Sequence, residues 1–349
     1  MKEPVYQIIQ DKISGLAVRI TQLQFEKHPE LLKRYGPAGK KRCHEDAVFH
    51  LEFFIEALKL DHRDMYGNYI LWAAAMLGHR NIPKSDLEYN LQYLQQAILE
   101  VLDTDYSNQI IDFIEFGRNK LNQEVTEPTS YITEENPFRD EARRYLEYLL
   151  DGQREKARSS VHELVEKGTN IKDIYHYIFQ PTQYEVGHLW QCNKITVAHE
   201  HYCSAATQLI MSGLYPHIFS TRRIGKTMVA CSISGELHEM GIRMVSDFFE
   251  IEGWDTYYLG ANMPDRQLEQ AVADHKANLL AISVTLPIHV SKAAALIKQI
   301  RSNRELSELK ILVGGYPFIQ HPDLWKKIDA DGFAENANQA IMIAEQLTS

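Results

Sequence analysis

From Gly225 to the end of the chain, five short apolar runs alternate with stretches of helical periodicity. The runs are "TMVACSIS", "DTYYLG", "NLLAISVT", "KILVGG" and the weaker "DGFA"; the helical stretches lie around Met240 to Ile251, Asp265 to Asp274, His289 to Ile300, Pro322 to Lys327 and Asn336 to Gln346. Strands separated by helices pair in parallel through crossovers, so the alternation predicts an α/β domain over 225–349 built on a doubly wound, five-stranded parallel sheet. Such a sheet binds ligands beyond the carboxyl ends of its strands, near the point where strand order reverses.

Upstream of that domain the pattern is helical. Val48, Leu51, Ile55 and Leu58 recur at helical spacing, as do Leu87, Leu91, Leu94, Ile98 and Val101, and with "MYGNYILWAAAMLGHR" and "SNQIIDFIEFGRNKL" they predict an all-α domain over 1–121. The polar, proline-bearing "NQEVTEPTSYITEENP" is expected to be a linker over 122–137. Stripes from Ala142 to Leu149, Ala157 to Val165 and Ile171 to Ile178, with breaks near Gly152, Gly168 and Pro181, then predict a four-helix bundle over 138–217. Its last helix is N-capped by Thr196 and runs to about Leu214.

Charge narrows the function. Lys and Arg total 37 against 47 Asp and Glu, a net charge of -10 that repels a phosphate backbone, so direct nucleic-acid binding is not expected. The amino terminus lacks a signal peptide and no window approaches a membrane span, which points to the cytoplasm. Cys43, Cys192, Cys203 and Cys231 include no CxxC, so neither a zinc site nor a disulfide framework is expected. No nucleophile, base and oxyanion set stands out, and enzymatic turnover by this chain alone is not expected.

The residues most suited to chemistry fall on the loops after the strands. "SGELHEMG" follows the first strand and carries Glu236, His238 and Gly241; Ser283 and Thr285 end the third run, and Gly314 and Gly315 end the fourth. A phosphate loop would need GxGxxG or GxxxxGK, and neither is present. What is present is an imidazole two residues after a carboxylate, a pairing that fixes the tautomer of a metal-ligating histidine and raises its basicity. Gly241 leaves room for a bulky group at the helix start, and the paired glycines leave a side-chain-free slot.

These loops, ExHxxG, SxT and GG, resemble the cobalamin-binding domain. The resemblance implies a flavodoxin-like sheet, His238 as the lower axial ligand of cobalt, and Glu236 as its partner. It also implies that Ser283, Thr285, Gly314 and Gly315 receive the displaced nucleotide tail. In "WQCNKITVAHEH", the spacing of Trp190, Glu200 and His201 resembles the cap of light-sensing cobalamin photoreceptors, where Trp and Glu cover the upper 5'-deoxyadenosyl ligand and light cleaves the cobalt–carbon bond. One residue departs from that pattern: Gln191 stands where the light-regulated repressors carry a histidine that captures cobalt. His188, His199, His201 or water could take that place.

The all-α domain looks like the helical sensor of the photocobilins, which pair adenosylcobalamin with biliverdin; a globin-like interaction module would share its pattern. For a bilin, Arg34, Lys41, Arg42 and Arg80 would supply cations to propionates. Tyr35, Tyr69 and Trp72 would supply walls, and His50 and His79 would meet the pyrrole nitrogens. Binding is expected to be non-covalent, with a thioether to Cys43 the alternative. The leading expectation is thus a light sensor that changes domain or subunit contacts, with an unidentified downstream protein and a light-dependent homo-oligomer. The rivals are a corrinoid methyl carrier for a methyltransferase and a cobalamin-dependent anti-repressor.

Overall fold

The computed structural model describes residues 3–123, 129–219 and 222–349. Residues 124–128 of the expected linker lie outside the described residues. The chain divides into two compact units, Met1–Thr126 and Glu127–Ser349.

The first unit is all-α. Its helices are α1 (Val5–Asp11), α2 (Ile13–Lys27), α3 (Glu30–Lys59), α4 (Arg63–Gly78), α5 (Lys84–Leu99) and α6 (Ser107–Lys120). Helix α3 is interrupted at Gly36, whose φ of 64° is a conformation glycine adopts without a Cβ penalty, and Pro37 restarts the helix. Ile20, Leu51, Phe54, Leu91, Ile98 and Ile110 point inward and are fully buried, which accounts for the helical periodicity of the sequence.

The second unit joins a helical bundle to a sheet through one hydrophobic core. The bundle contains α7 (Arg139–Leu150), α8 (Arg154–Glu166), α9 (Ile171–Ile174), α10 (Gln180–Gln191), α11 (Val197–Ser212) and the short α12 (Tyr215–Ile218). The expected break at Pro181 is corrected. A π-helical turn over Tyr175–Phe179 carries α9 directly into α10, and Pro181 sits in the first turn of α10, where its missing N–H costs no helical bond.

The sheet consists of β1 (Thr227–Ser232), β2 (Asp255–Gly260), β3 (Leu279–Ser283), β4 (Lys310–Gly314) and β5 (Gly332–Ala334), each within one of the five apolar runs. The strands are separated by α13 (Met240–Ile251), α14 (Asp265–Asp274), α15 (Val290–Ser302) and the short α16 (Tyr316–Gln320) and α17 (Leu324–Lys327); α18 (Ala337–Leu347) closes the chain. All strands are parallel and their order is β2-β1-β3-β4-β5, the flavodoxin-like order. The order reverses between β1 and β3. At that switch point Ser232 is in register with Ser283, and Ser283 with Gly314, so the loops leaving β1, β3 and β4 start side by side.

Candidate functional site

The β1 loop turns at Gly235, whose φ is 86° and whose amide donates to Asn262 Oδ1 at 2.8 Å. This turn aims Glu236 into the protein, where it is fully buried. Five donors converge on its carboxylate. The amide and Nδ1 of His238 donate to Oε1 at 3.1 and 2.5 Å. The amides of Thr285 and Leu286 donate to Oε2 at 2.9 and 2.8 Å, and His289 Nδ1 lies 3.2 Å from the same oxygen. Burial by itself would raise the Glu236 pKa, but the hydrogen bonds from His238, His289 and the backbone outweigh it and hold the carboxyl well below the usual range.

His238 shows the opposite balance. The hydrogen bond to Glu236 raises its pKa, desolvation opposes the rise, and the charges of Glu236 and Glu200 add to it. Its carbonyl accepts from Ser232 Oγ at 2.7 Å, which ties the loop back to β1. With Nδ1 engaged by Glu236, Nε2 is the nitrogen left to ligate a metal, on a side chain 57% exposed. This donor set fits the lower face of a corrinoid. Gly241 adds space, since a Cβ there would meet nothing within 4 Å.

The remaining loop residues are placed differently. Thr285 meets Glu236 through its backbone amide, and Ser283 is buried at the end of β3. Gly315 has a φ of 109°, and a Cβ there would stand 2.0 Å from the Val284 carbonyl oxygen. Its glycine is therefore required by the contact between the β3 and β4 loops, a stricter need than an open slot. Gly314 is less crowded, with the Ala334 carbonyl 3.3 Å from a hypothetical Cβ.

On the bundle, Trp190 is half-buried in the last turn of α10, and its carbonyl accepts from the Asn193 amide at 3.0 Å. Thr196 caps α11 in a reciprocal box with His199, whose amide donates to the threonine hydroxyl at 3.4 Å. Glu200 follows on the first turn; it accepts from Ser204 Oγ at 3.0 Å and pairs with the exposed His201. Gln208, further along α11, donates to Glu239 at 3.0 Å and joins the bundle to the β1 loop. Of the histidines offered as substitutes at Gln191, His188 is buried beside Tyr131 and Cys192, His199 serves the cap, and His201 is paired with Glu200.

In the first unit, Arg34 and Tyr35 both donate to Asp86, at 3.0 and 2.5 Å. His50 and Tyr69 are hydrogen-bonded at 2.7 Å, and burial lowers the His50 pKa to about 4. Tyr69 stacks on Phe53 at 3.7 Å and lies 6.2 Å from the partly exposed Trp72. Arg42 is exposed, His79 caps the end of α4, and Arg80 donates to the Met76 carbonyl at 2.9 Å. The Cys43 thiol is pushed up to about 12, chiefly by burial, which keeps it protonated and poorly nucleophilic.

The bundle, the loops at the β1–β3 switch point and the Glu236–His238 pair together define a cobalamin-binding module. Residues 226–342 match a family model described as a B12 binding domain, and residues 141–215 match a second model of that description. The chain is similar to dimethylamine corrinoid protein 2 of Methanosarcina mazei, with 25% identity over 167 residues, 47% of this chain and 76% of that protein. It is also similar to trimethylamine corrinoid protein 1 of Methanosarcina acetivorans, with 22% identity over 197 residues, 55% of this chain and 90% of that protein. Among solved structures, the monomethylamine corrinoid protein of Methanosarcina barkeri superposes with a TM-score of 0.54 at 18% identity, covering 60% of this chain and 99% of that one. Among the described residues, no helix is long and apolar enough to cross a membrane.

Sequence reasoning missed His289, 53 positions after Glu236, and the Thr285 and Leu286 amides. The only available signal for His289 was its place at the start of the helix after the third strand.

Proposed function

We propose that this chain holds a corrinoid base-off between bundle and sheet, with His238 as lower ligand and Glu236 fixing its tautomer. The observation that carries this reading is the buried Glu236 carboxylate on His238 Nδ1, which leaves Nε2 for a metal. Ser283 and the Gly314–Gly315 turn would receive the nucleotide tail. Bound there, a corrinoid supplies a reactive cobalt–carbon bond, while the protein orients it and limits access to its upper face.

That site suits two uses. The relatives support the first, a corrinoid carrier of methyl groups that works with a separate methyltransferase. The second is a light sensor holding adenosylcobalamin under Trp190 and Glu200; its support is the place of Glu200 on the first turn of α11, near enough to His238 for its charge to add to the rise of the His238 pKa that the Glu236 hydrogen bond dominates. In that use the first unit would carry a biliverdin near His50, Tyr69 and Trp72, and light would alter contacts with a second copy or a downstream protein. Neither use asks this chain for turnover of its own. A reducing, cytoplasmic setting, in which the thiols of the buried Cys203 and Cys231 stay reduced, belongs to the same proposal.

Spectra and affinities of the full chain with methylcobalamin and with adenosylcobalamin, in darkness and after green light, separate the two. Tighter binding of methylcobalamin, with protein contacts indifferent to light, supports the carrier. Preference for adenosylcobalamin that Trp190→Ala abolishes, with a light-dependent change in oligomeric state, supports the sensor. A spectrum unchanged by His238→Ala overturns the common reading.

A further inference from the structure

Glu200, Ser204 and Thr207 stand at i, i+4 and i+7 on α11 and so share one face of that helix. Ser204 Oγ lies 3.0 Å from Glu200 Oε1 and 3.0 Å from Oε1 of Gln183, on α10. Gln183 Nε2 lies 2.9 Å from Thr207 Oγ1, which in turn lies 2.9 Å from the hydroxyl of Tyr145, on α7. Tyr145 and Thr207 are buried, Gln183 and Ser204 are half-buried, and the Glu200 side chain is 30% exposed. A chain of side chains from three helices thus runs from the core of the bundle out to the Glu200 carboxylate.

Protons set its direction. The Ser204 hydroxyl has one hydrogen for two acceptors, and a carboxylate only accepts, so the hydrogen belongs to Glu200. Gln183 completes the set by a half-turn of its amide, which exchanges two groups of nearly equal size. Nε2 then donates to Ser204, and Oε1 accepts from Thr207, whose oxygen takes the Tyr145 proton. Every donor in that arrangement points toward Glu200, and hydrogen bonds aligned in one sense strengthen one another.

We infer that Ser204 and Gln183 are positioning residues that hold Glu200 ready for the upper group of a bound corrinoid, an inference that rests on the place of Glu200 in the light-sensor reading. Ser204 fixes one carboxylate oxygen, while the other, which pairs with the exposed His201, stays at the surface. A glutamate without that hold would give up its rotamer freedom when a ligand arrives; one already held does not, and binding is tighter by the difference. The chemistry this suits is a hydroxyl-bearing upper group such as a ribose, which donates to a carboxylate. A methyl group offers no such donor.

The test measures, in darkness, the affinities of the full chain for adenosylcobalamin and for methylcobalamin by spectroscopic titration, and takes their ratio. A loosened fold weakens both ligands alike, whereas a misplaced Glu200 weakens only the adenosyl form, so the ratio isolates positioning. Ser204→Ala should lower the adenosyl-to-methyl affinity ratio by about threefold to tenfold, the effect of losing one hydrogen bond. Ser204→Thr, which keeps the hydroxyl, should restore it. Gln183→Glu has no N–H for Ser204 and sets two carboxylates in competition for one proton, so it should match Ser204→Ala. The parent's ratio in either Ser204→Ala or Gln183→Glu, or a Ser204→Thr variant as impaired as the alanine one, overturns the positioning role. Glu200→Ala supplies the separate control: if it leaves the ratio unchanged, the light-sensor reading of Glu200 has failed. If it changes the ratio while Ser204→Ala does not, only the inference about the chain has failed.

Discussion

His238 on the β1 loop has its proton affinity raised by its hydrogen bond to Glu236 and, to a smaller extent, by the charge of Glu200 on α11 of the bundle. The Glu236 hydrogen bond is the larger cause, and the partly exposed position of His238 keeps the Glu200 contribution modest. A histidine whose folded pKa is raised contributes stability that is present below its unfolded value and lost as pH rises through the folded value. An NMR titration of the ligand-free protein should place the His238 midpoint above 6.5, and Glu200→Gln should move it down. A midpoint that ignores Glu200→Gln would mean the two residues do not face each other in solution.

A second pair fixes the bundle to the sheet. Tyr175 in the π-helical turn donates to Asp247 on α13 at 2.7 Å, and burial is the largest cause of the rise of the Asp247 pKa to about 6, from 3.8. A raised carboxyl makes the folded state bind more protons than the unfolded one, so stability falls as pH rises from about 4 to about 6. Asp247→Asn keeps an acceptor for Tyr175 and removes the buried charge. It should flatten the pH dependence over that window and raise stability at pH 7 by about 1–3 kcal/mol, measured by urea unfolding. A variant with the parent's pH profile would show that Asp247 does not titrate there.

How much of this was legible follows from the range of the interactions. The strands could be read because each is a short apolar run, and the Glu236–His238 pair because its members are two residues apart. Pro181 misled because a π-helical turn, which local periodicity does not reveal, supplies the geometry that lets the helix continue. His289, the two amides and the Tyr175–Asp247 bond join residues 49 to 72 positions apart. Only the folded β1–β3 switch point and the bundle interface bring them together, so no spacing rule could have found them.

Two glycines near the site should respond in opposite ways. At Gly315, any side chain meets the Val284 carbonyl at 2.0 Å and must also accept a φ of 109°. Gly315→Ala should therefore destabilise the ligand-free protein by roughly 3 kcal/mol or more, combining strain with a backbone clash. Gly241, near the start of α13, has open space at its Cβ position, so Gly241→Ala should leave that stability unchanged or raise it by up to about 1 kcal/mol. The cost of Gly241→Ala should appear instead as weaker hydroxocobalamin binding. Equal unfolding midpoints for the two variants would contradict this division.

The length of Glu236 is itself testable. Its carboxylate spans from His238 on one loop to Thr285, Leu286 and His289 on the next, and it is fully buried. Glu236→Asp shortens the side chain by one methylene, so it can keep one loop or the other but not both. If it stays with His238, the Thr285 and Leu286 amides lose their acceptor inside the protein; each such loss costs about 1–3 kcal/mol unless water replaces the carboxylate. The variant should then unfold at lower urea, with a loss of at least ~2 kcal/mol, and the Thr285 and Leu286 amides should exchange faster with solvent. His238 should still titrate above 6.5 because its own hydrogen bond survives. Should aspartate stay with the amides instead, the His238 midpoint falls while amide protection persists. Unchanged stability, exchange and His238 titration together would rule out the bridging role of Glu236.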